Sequence, residues 1–105
     1  MIVATGDARG LLRAALGEAL GGFAANGFPE SERSKAAVYL QLVEEGAISL
    51  THDDLSFLIM VAQFAMKELG PTEFQTITGY DFDFGVATVE AFREEFAATN
   101  SKTEY

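Results

Sequence analysis

Residues 80–85, Tyr-Asp-Phe-Asp-Phe-Gly, place the carboxylates Asp81 and Asp83 one residue apart, just before a glycine. The stretch contains the Asp-Phe-Gly triplet with which protein kinases hold magnesium. Its Asp-x-Asp pair has the composition of a metal or acid–base site. Kinase chemistry is excluded, because the chain has no Gly-rich loop, strand lysine or catalytic loop to accompany the triplet. A calcium loop fails too. With Asp81 and Asp83 as its first two ligands, Val86 would fall where the invariant glycine belongs and Phe92 where the bidentate glutamate belongs. Asp81 therefore reads as a helix N-cap, and Asp83 as a first-turn acid favoured by the helix dipole.

His52 is the only histidine and is followed by Asp53 and Asp54. General acid–base work needs a partner at a set distance, and no spacing here supplies one. One imidazole with scattered carboxylates also lacks a metal-ligand pattern. Thr51 and the two acids read more simply as a helix start, with Asp54 closing a capping box on Thr51 and His52 exposed beside it. The segment Thr5–Gly10, "TGDARG", follows an apolar run as a nucleotide-binding loop would, but lacks the G-x-G-x-x-G spacing. No catalytic residue, cofactor site or metal site is assigned.

The remaining constellation is a strip. At 100° per residue, Asp83, Glu90 and Glu94 fall within roughly 40° of one helix face. Glu90 and Glu94 are four apart, where like charges cost a few tenths of a kcal/mol, and Glu94 lies toward the negative helix end. Local helix stability does not account for such a strip. Phe84 points away from the face defined by Phe82, Val86, Val89, Phe92 and Phe96. Either Phe84 packs locally beneath a solvated charged face, or it is an exposed anchor beside acids, an arrangement suited to protein binding. The candidate partner-binding residues are Asp83, Phe84, Glu90 and Glu94, together with Glu44, Glu45, Asp53 and Asp54.

The elements that must position these residues are helical. A first helix is expected over about 7–26, with Leu12, Leu16, Ala19, Leu20 and Phe23 inward. Either Gly17 and Gly21 admit a close backbone neighbour, or Gly21-Gly22 mark a frayed C-terminal end. After the Asn26-Gly27 turn, Pro29 opens a second helix with Ala36, Tyr39, Leu40 and Val43 inward. Gly46 is its expected C′ residue and Ile48 the accompanying contact. A third helix, about 52–69, is apolar except for a stripe of Ser56, Gln63 and Lys67. A helix apolar over most of its circumference is a central one, and if three neighbours do not cover it a second copy must. Gly70-Pro71 stops it. Phe74 and Ile77 anchor a connection that turns at Gly79 into the fourth helix. Residues 1–5 form either a short strand or an ordered arm. The expectation is a mainly α bundle of about four helices around a central apolar helix, one domain over 1–98 with a flexible tail over 99–105.

Charge narrows the function. The chain of 105 residues carries a net charge of −9, and the excess is confined to one half: residues 44–95 hold eleven acids against Lys67 and Arg93. Binding of nucleic-acid phosphates is excluded on this basis, and a basic protein partner is favoured. The absence of Cys removes disulfides and thiolate chemistry. The longest apolar run is interrupted and too short to span a bilayer, and the N-terminus lacks the basic region of a signal peptide. A cytoplasmic protein without membrane contact is expected.

Residues 73–92, "EFQTITGYDFDFGVATVEAF", also carry a resemblance. Glu73, Phe74, Thr76, Thr78 and Gly79 match E-F-x-T-x-T-G, a connection seen between helices in small bacterial proteins, with Asp81 at the cap that follows. The resemblance implies a helix–connection–helix unit of bacterial or phage origin and no activity. Phe82 and Phe84 depart from it, standing where charged residues are ordinary. The functional expectation is a non-enzymatic binding or inhibitory protein of immunity, antitoxin-like or anti-defence type, using its acidic half against a basic partner. The alternatives are a homodimeric structural or assembly module and a small-ligand-binding domain.

Overall fold

The computed structural model describes residues 2–4, 6–22, 27–46 and 48–103. Strand β1 (Ile2–Ala4) leads into helix α1 (Gly6–Gly21). A single 3-10 turn (Glu30–Glu32) precedes α2 (Arg33–Glu45), and β2 (Ile48–Leu50) joins it to α3 (His52–Thr78), which is followed by α4 (Phe82–Thr103). The architecture is mainly α, with α3 at the centre packed against both α1 and α4, as its near-continuous apolar surface requires. Leu55, Leu58, Val61 and Ala65 of α3 are buried together with Leu12 and Leu16 of α1, Val43 of α2 and Phe92 of α4. Ser56, Gln63 and Lys67 form the exposed stripe of α3.

The N-terminal strand is real and has a partner. β1 pairs antiparallel with β2, Val3 opposite Ser49, so the start of the chain closes over the α2–α3 connection. A two-stranded ribbon is marginal alone. This one is held by the fully buried Leu50 beneath it. Three residues are too few to show strand alternation, which is why β2 was not expected.

Helix boundaries depart from expectation in ways that have physical causes. α1 ends at Gly21, not near residue 26. Phe23 and the Asn26 half of the turn lie outside the described residues. Gly17 and Gly21 admit no close neighbour, since a Cβ at either would meet nothing within 4 Å. The close approach is at Gly10, where a Cβ would sit 1.9 Å from the Tyr80 hydroxyl oxygen. Gly17→Ala is therefore expected to stabilise the protein by about 0.5–1 kcal/mol through helix propensity alone. Urea unfolding measures this, and a loss of stability would refute the open position.

The end of α2 is not a glycine cap. Gly46 has φ 161°, extended backbone that runs straight into β2, and the expected Ile48 contact lies outside the described side chains. The free carbonyls at the end of α2 are instead satisfied from α1. Arg9 donates from Nε to the Val43 carbonyl and from Nη2 to that of Glu44 at 2.9 Å. Arg33 does the same in reverse, donating from Nη1 to the Leu20 carbonyl at the end of α1 at 3.2 Å.

Gly70-Pro71 stops the first segment of α3, as the sequence leads one to expect, and a second helical segment begins at Pro71. Gly70 takes φ 75°, ψ 169°, and the helix resumes through Thr78. Proline is tolerated in a first turn, where its missing N–H has no partner to lose. The stretch 71–79 is thus a short helical arm whose Phe74 is fully buried, with Ile77 packed beside it. It ends as anticipated at Gly79, left-handed at φ 79°, whose N–H donates to the Gln75 carbonyl. α4 extends to Thr103, through most of the stretch expected as a tail.

Candidate functional site

The sequence places eight candidate residues on three helices, and the structure treats them differently. On α4, Asp83, Glu90 and Glu94 are exposed on one face, and no hydrogen bond or ion pair among the described residues engages them. A large apolar residue exposed at the edge of this face is Val86, at 42%. Val86 was expected on the inner face. The inner position is taken by Gly85, which is buried with Thr88, Val89 and Phe92. A Cβ at Gly85 would lie 3.2 Å from Phe74 and 3.4 Å from Met66. The missing side chain lets α4 settle onto the arm, rotating Val86 outward.

Phe84 is not an open anchor. It is half-buried and stacks on Tyr80, with ring centroids 5.7 Å apart and planes at 27°. Tyr80 in turn covers Gly10 of α1. Its N–H donates at 3.1 Å to Thr78 Oγ1, and that hydroxyl donates to the Phe74 carbonyl at 2.6 Å. Phe74, Thr78 and Gly79, three of the residues that carry the resemblance, thus shape the corner that aims α4.

At the start of α3, Thr51 caps the helix. Its Oγ1 accepts from the Asp54 N–H at 3.3 Å, while Asp54 Oδ2 accepts from the Thr51 N–H at 2.9 Å. The other oxygen of Asp54 accepts from the Tyr39 hydroxyl of α2. Burial acts to raise the Asp54 pKa. The hydrogen bonds from Tyr39 and Thr51, and the charge of Lys35, outweigh it and hold the carboxyl below its ordinary value. Tyr39 is pushed well above the ordinary phenol value, by burial first and then by its bond to the Asp54 carboxylate. Asp54 is therefore a structural group, joining α2 to α3. Tyr39 also stacks on Phe57 at 5.1 Å, and Lys35 Nζ lies 4.8 Å from the centroid of the Phe57 ring. Sequence reading put Tyr39 in the core without its partner, although a buried phenol hydroxyl always calls for one.

Asp53 remains exposed. His52, expected in solvent, is half-buried and stacks on Phe96 of α4 at 4.0 Å and 18°. That stack joins the start of α3 to the later turns of α4, so Asp53 and Glu94 lie toward one end of the bundle. Glu44 and Glu45 are exposed at the end of α2, where the Glu45 carboxylate accepts from Gln41 Nε2 at 3.3 Å.

Asp81 and Asp83 line a cleft of about 650 Å³ between the 71–78 arm and the start of α4, with Pro71, Thr72, Gln75, Thr76 and Phe82. The Asp81 carbonyl accepts the Gly85 N–H at 3.1 Å, the first helical bond of α4, which is the N-cap position. Among the described residues no group of three or more His, Asp or Glu side chains is placed to hold a metal ion. No described helix is long and apolar enough to cross a membrane. Comparison of the chain with family models, curated proteins and solved structures returned no match.

Proposed function

We propose that this protein is a non-enzymatic protein-binding module whose recognition surface is the outer face of α4. The observation that carries the reading is the set Asp83, Glu90 and Glu94, exposed and unpaired beside the 42%-exposed Val86. Three carboxylates on one rigid helix attract and orient a basic surface, while Val86 supplies apolar contact at the edge of the strip. Asp53 adds charge toward the Glu94 end. Phe84 supports the surface from within, through Tyr80, whereas Asp54 ties α2 to α3 through Tyr39. An inhibitor of immunity, antitoxin-like or anti-defence type works in this way, by occupying a basic patch that its target needs.

Capture from lysate of the source cells tests the reading. The protein is expected to retain a basic partner at low salt and release it near 1 M salt, where the screening length is about 3 Å. The triple variant D83N/E90Q/E94Q is expected to lose that partner, and E44Q/E45Q to keep it. Equal retention by the triple variant would refute the assignment of the surface.

A further inference from the structure

The outer face of α2 is unpartnered. Val38 and Leu42, one turn apart on it, are 58% and 41% exposed, two of the three large apolar side chains exposed among the described residues. At 100° per residue, Lys35, Val38, Leu42 and Glu45 fall within about 80° of arc, with the uncharged Ser34 and Gln41 on their flank. All six are exposed. Gln41 Nε2 donates to the Glu45 carboxylate along this strip at 3.3 Å. Read along the axis, the strip runs base, apolar, apolar, acid. Lys35 stands in the first turn and Glu45 in the last, the reverse of the order that the helix dipole favours. The neighbouring charges lie off the strip. At its start, Arg33 turns to the Leu20 carbonyl and to Glu30, and the Asp54 carboxylate is taken by Tyr39. Glu32 and Asp53 border Lys35 on its α3 side, around the hollow that holds Phe57. At its end, Glu44 lies roughly 140° from the middle of the strip, and Arg9 is bound to the helix carbonyls.

We propose that this face packs against the same face of a second copy, the two α2 helices running antiparallel about a two-fold axis. The residues themselves fix the register. Positions 35 and 45, and positions 38 and 42, are each centred on position 40. With position 40 of both copies at the axis, Val38 meets Leu42 of the other copy and Lys35 meets Glu45 of the other copy, each contact made twice. A foreign partner would need this order reversed on its own surface, whereas a second copy already carries it. In the same register Glu32 would oppose position 48, beyond the end of α2 at Glu45, and Asp53 belongs to α3. Neither therefore faces the incoming Glu45 directly. Both weaken the attraction that Glu45 meets at Lys35, so the apolar pairs carry the contact and the ion pairs set its direction. Antiparallel packing also relieves the two charges placed against the dipole, because the basic start of each strip meets the acidic end of the other. One helix per copy makes a small interface between chains of net charge −9, and the association is accordingly weak. α2 packs on α1 and α4 on α3, so the acidic face of α4 stays open in the pair, whatever it binds.

Sedimentation of the purified chain tests this at an ionic strength of about 0.15 M, where remote acids are screened beyond about 8 Å. The protein is expected to dimerise reversibly, with a dissociation constant below about 1 mM. V38E is expected to weaken the dimer about tenfold or more, by setting a carboxylate against Leu42. K35E and E45K are each expected to do the same, since like charges then face each other at both ends. All three positions are exposed, and circular dichroism checks that each variant is folded. An equimolar mixture of K35E and E45K is expected to dimerise as the wild type does, because both ends of the mixed pair regain opposite charges. A wild type that stays monomeric up to about 1 mM would overturn the proposal. So would V38E at wild-type strength, or a mixture no stronger than its components. A monomeric wild type whose V38E variant loses the basic partner would give this face to that partner instead. Capture of a basic partner without dimerisation leaves the reading of α4 standing, and dimerisation without capture leaves the α2 pairing standing.

Discussion

Phe74→Ala is expected to cost about 3–5 kcal/mol, the range for emptying a buried phenylalanine site. Phe74 has no exposed surface and packs edge-on to Phe82, with centroids 5.7 Å apart at 90°. It also fills the space that Gly85 leaves open. The ring is the main apolar link between the kinked arm of α3 and the first turns of α4. Domains of this size are stable by about 5–15 kcal/mol, so the loss is a large fraction of the whole. The midpoint of thermal unfolding should fall by roughly 15–30 °C, at several degrees per kcal/mol. Phe74→Leu keeps most of the volume and should cost roughly 1 kcal/mol. Calorimetry of both variants checks the prediction. A loss below about 1.5 kcal/mol for the alanine variant would mean that the site collapses freely and that the arm does not anchor α4. The consequence reaches the function, because the corner built on Phe74 sets the direction of the helix that carries Asp83, Glu90 and Glu94.

Asp54→Ala should remove about 2–4 kcal/mol. Loss of the capping box accounts for about 1 kcal/mol. The remainder comes from the charge-assisted bond to Tyr39, whose hydroxyl is left without its acceptor beside a buried ring. The pH dependence separates this pair from ordinary packing. The Asp54 carboxyl is lowered in the folded state, so its contribution is present above the unfolded value of about 3.9 and is lost as pH falls through the folded one. The Tyr39 phenol is raised, so its contribution is complete below about pH 10 and is lost as pH rises through the folded value. Urea unfolding at acid, neutral and alkaline pH should show both limbs in the wild type. Tyr39→Phe should flatten the alkaline limb, and Asp54→Asn the acid one. Unchanged limbs in these variants would place the titrating groups elsewhere. Acting through a group inside the frame, Asp54 is also expected to leave partner capture at α4 unaffected in any variant that still folds.

Much of the frame is legible from residue order. The Thr51–Asp54 capping box, the Gly79 turn and the Ser56–Gln63–Lys67 stripe all arise within a few turns of chain, where hydrogen-bond geometry and the 3.6-residue period leave one reading. The acid strip of α4 is legible for the same reason, since residues at positions 83, 90 and 94 share a face whatever the helix packs against.

Contacts between elements are a different matter, because helical period gives a face but not its rotation toward a neighbour. Val86 and Phe84 illustrate this. Their angles on α4 follow from the sequence, yet which one meets solvent depended on Gly85 seating against Phe74 and Met66, and on Tyr80 rising to meet Phe84. Gly46 has the residue type of a helix cap, but Arg9, distant in sequence, caps α2 and leaves Gly46 extended. Asp54 has the position of a capping acid and also the role of a tether, which the approach of Tyr39 from another helix alone creates. Residue order determined that the protein is helical, acidic in one half and built around α3, because periodicity and charge are properties of neighbouring positions. Only the tertiary structure decided which acids face outward unpaired, and that Asp54 takes the Tyr39 hydroxyl, because those facts depend on distances between residues remote in the chain.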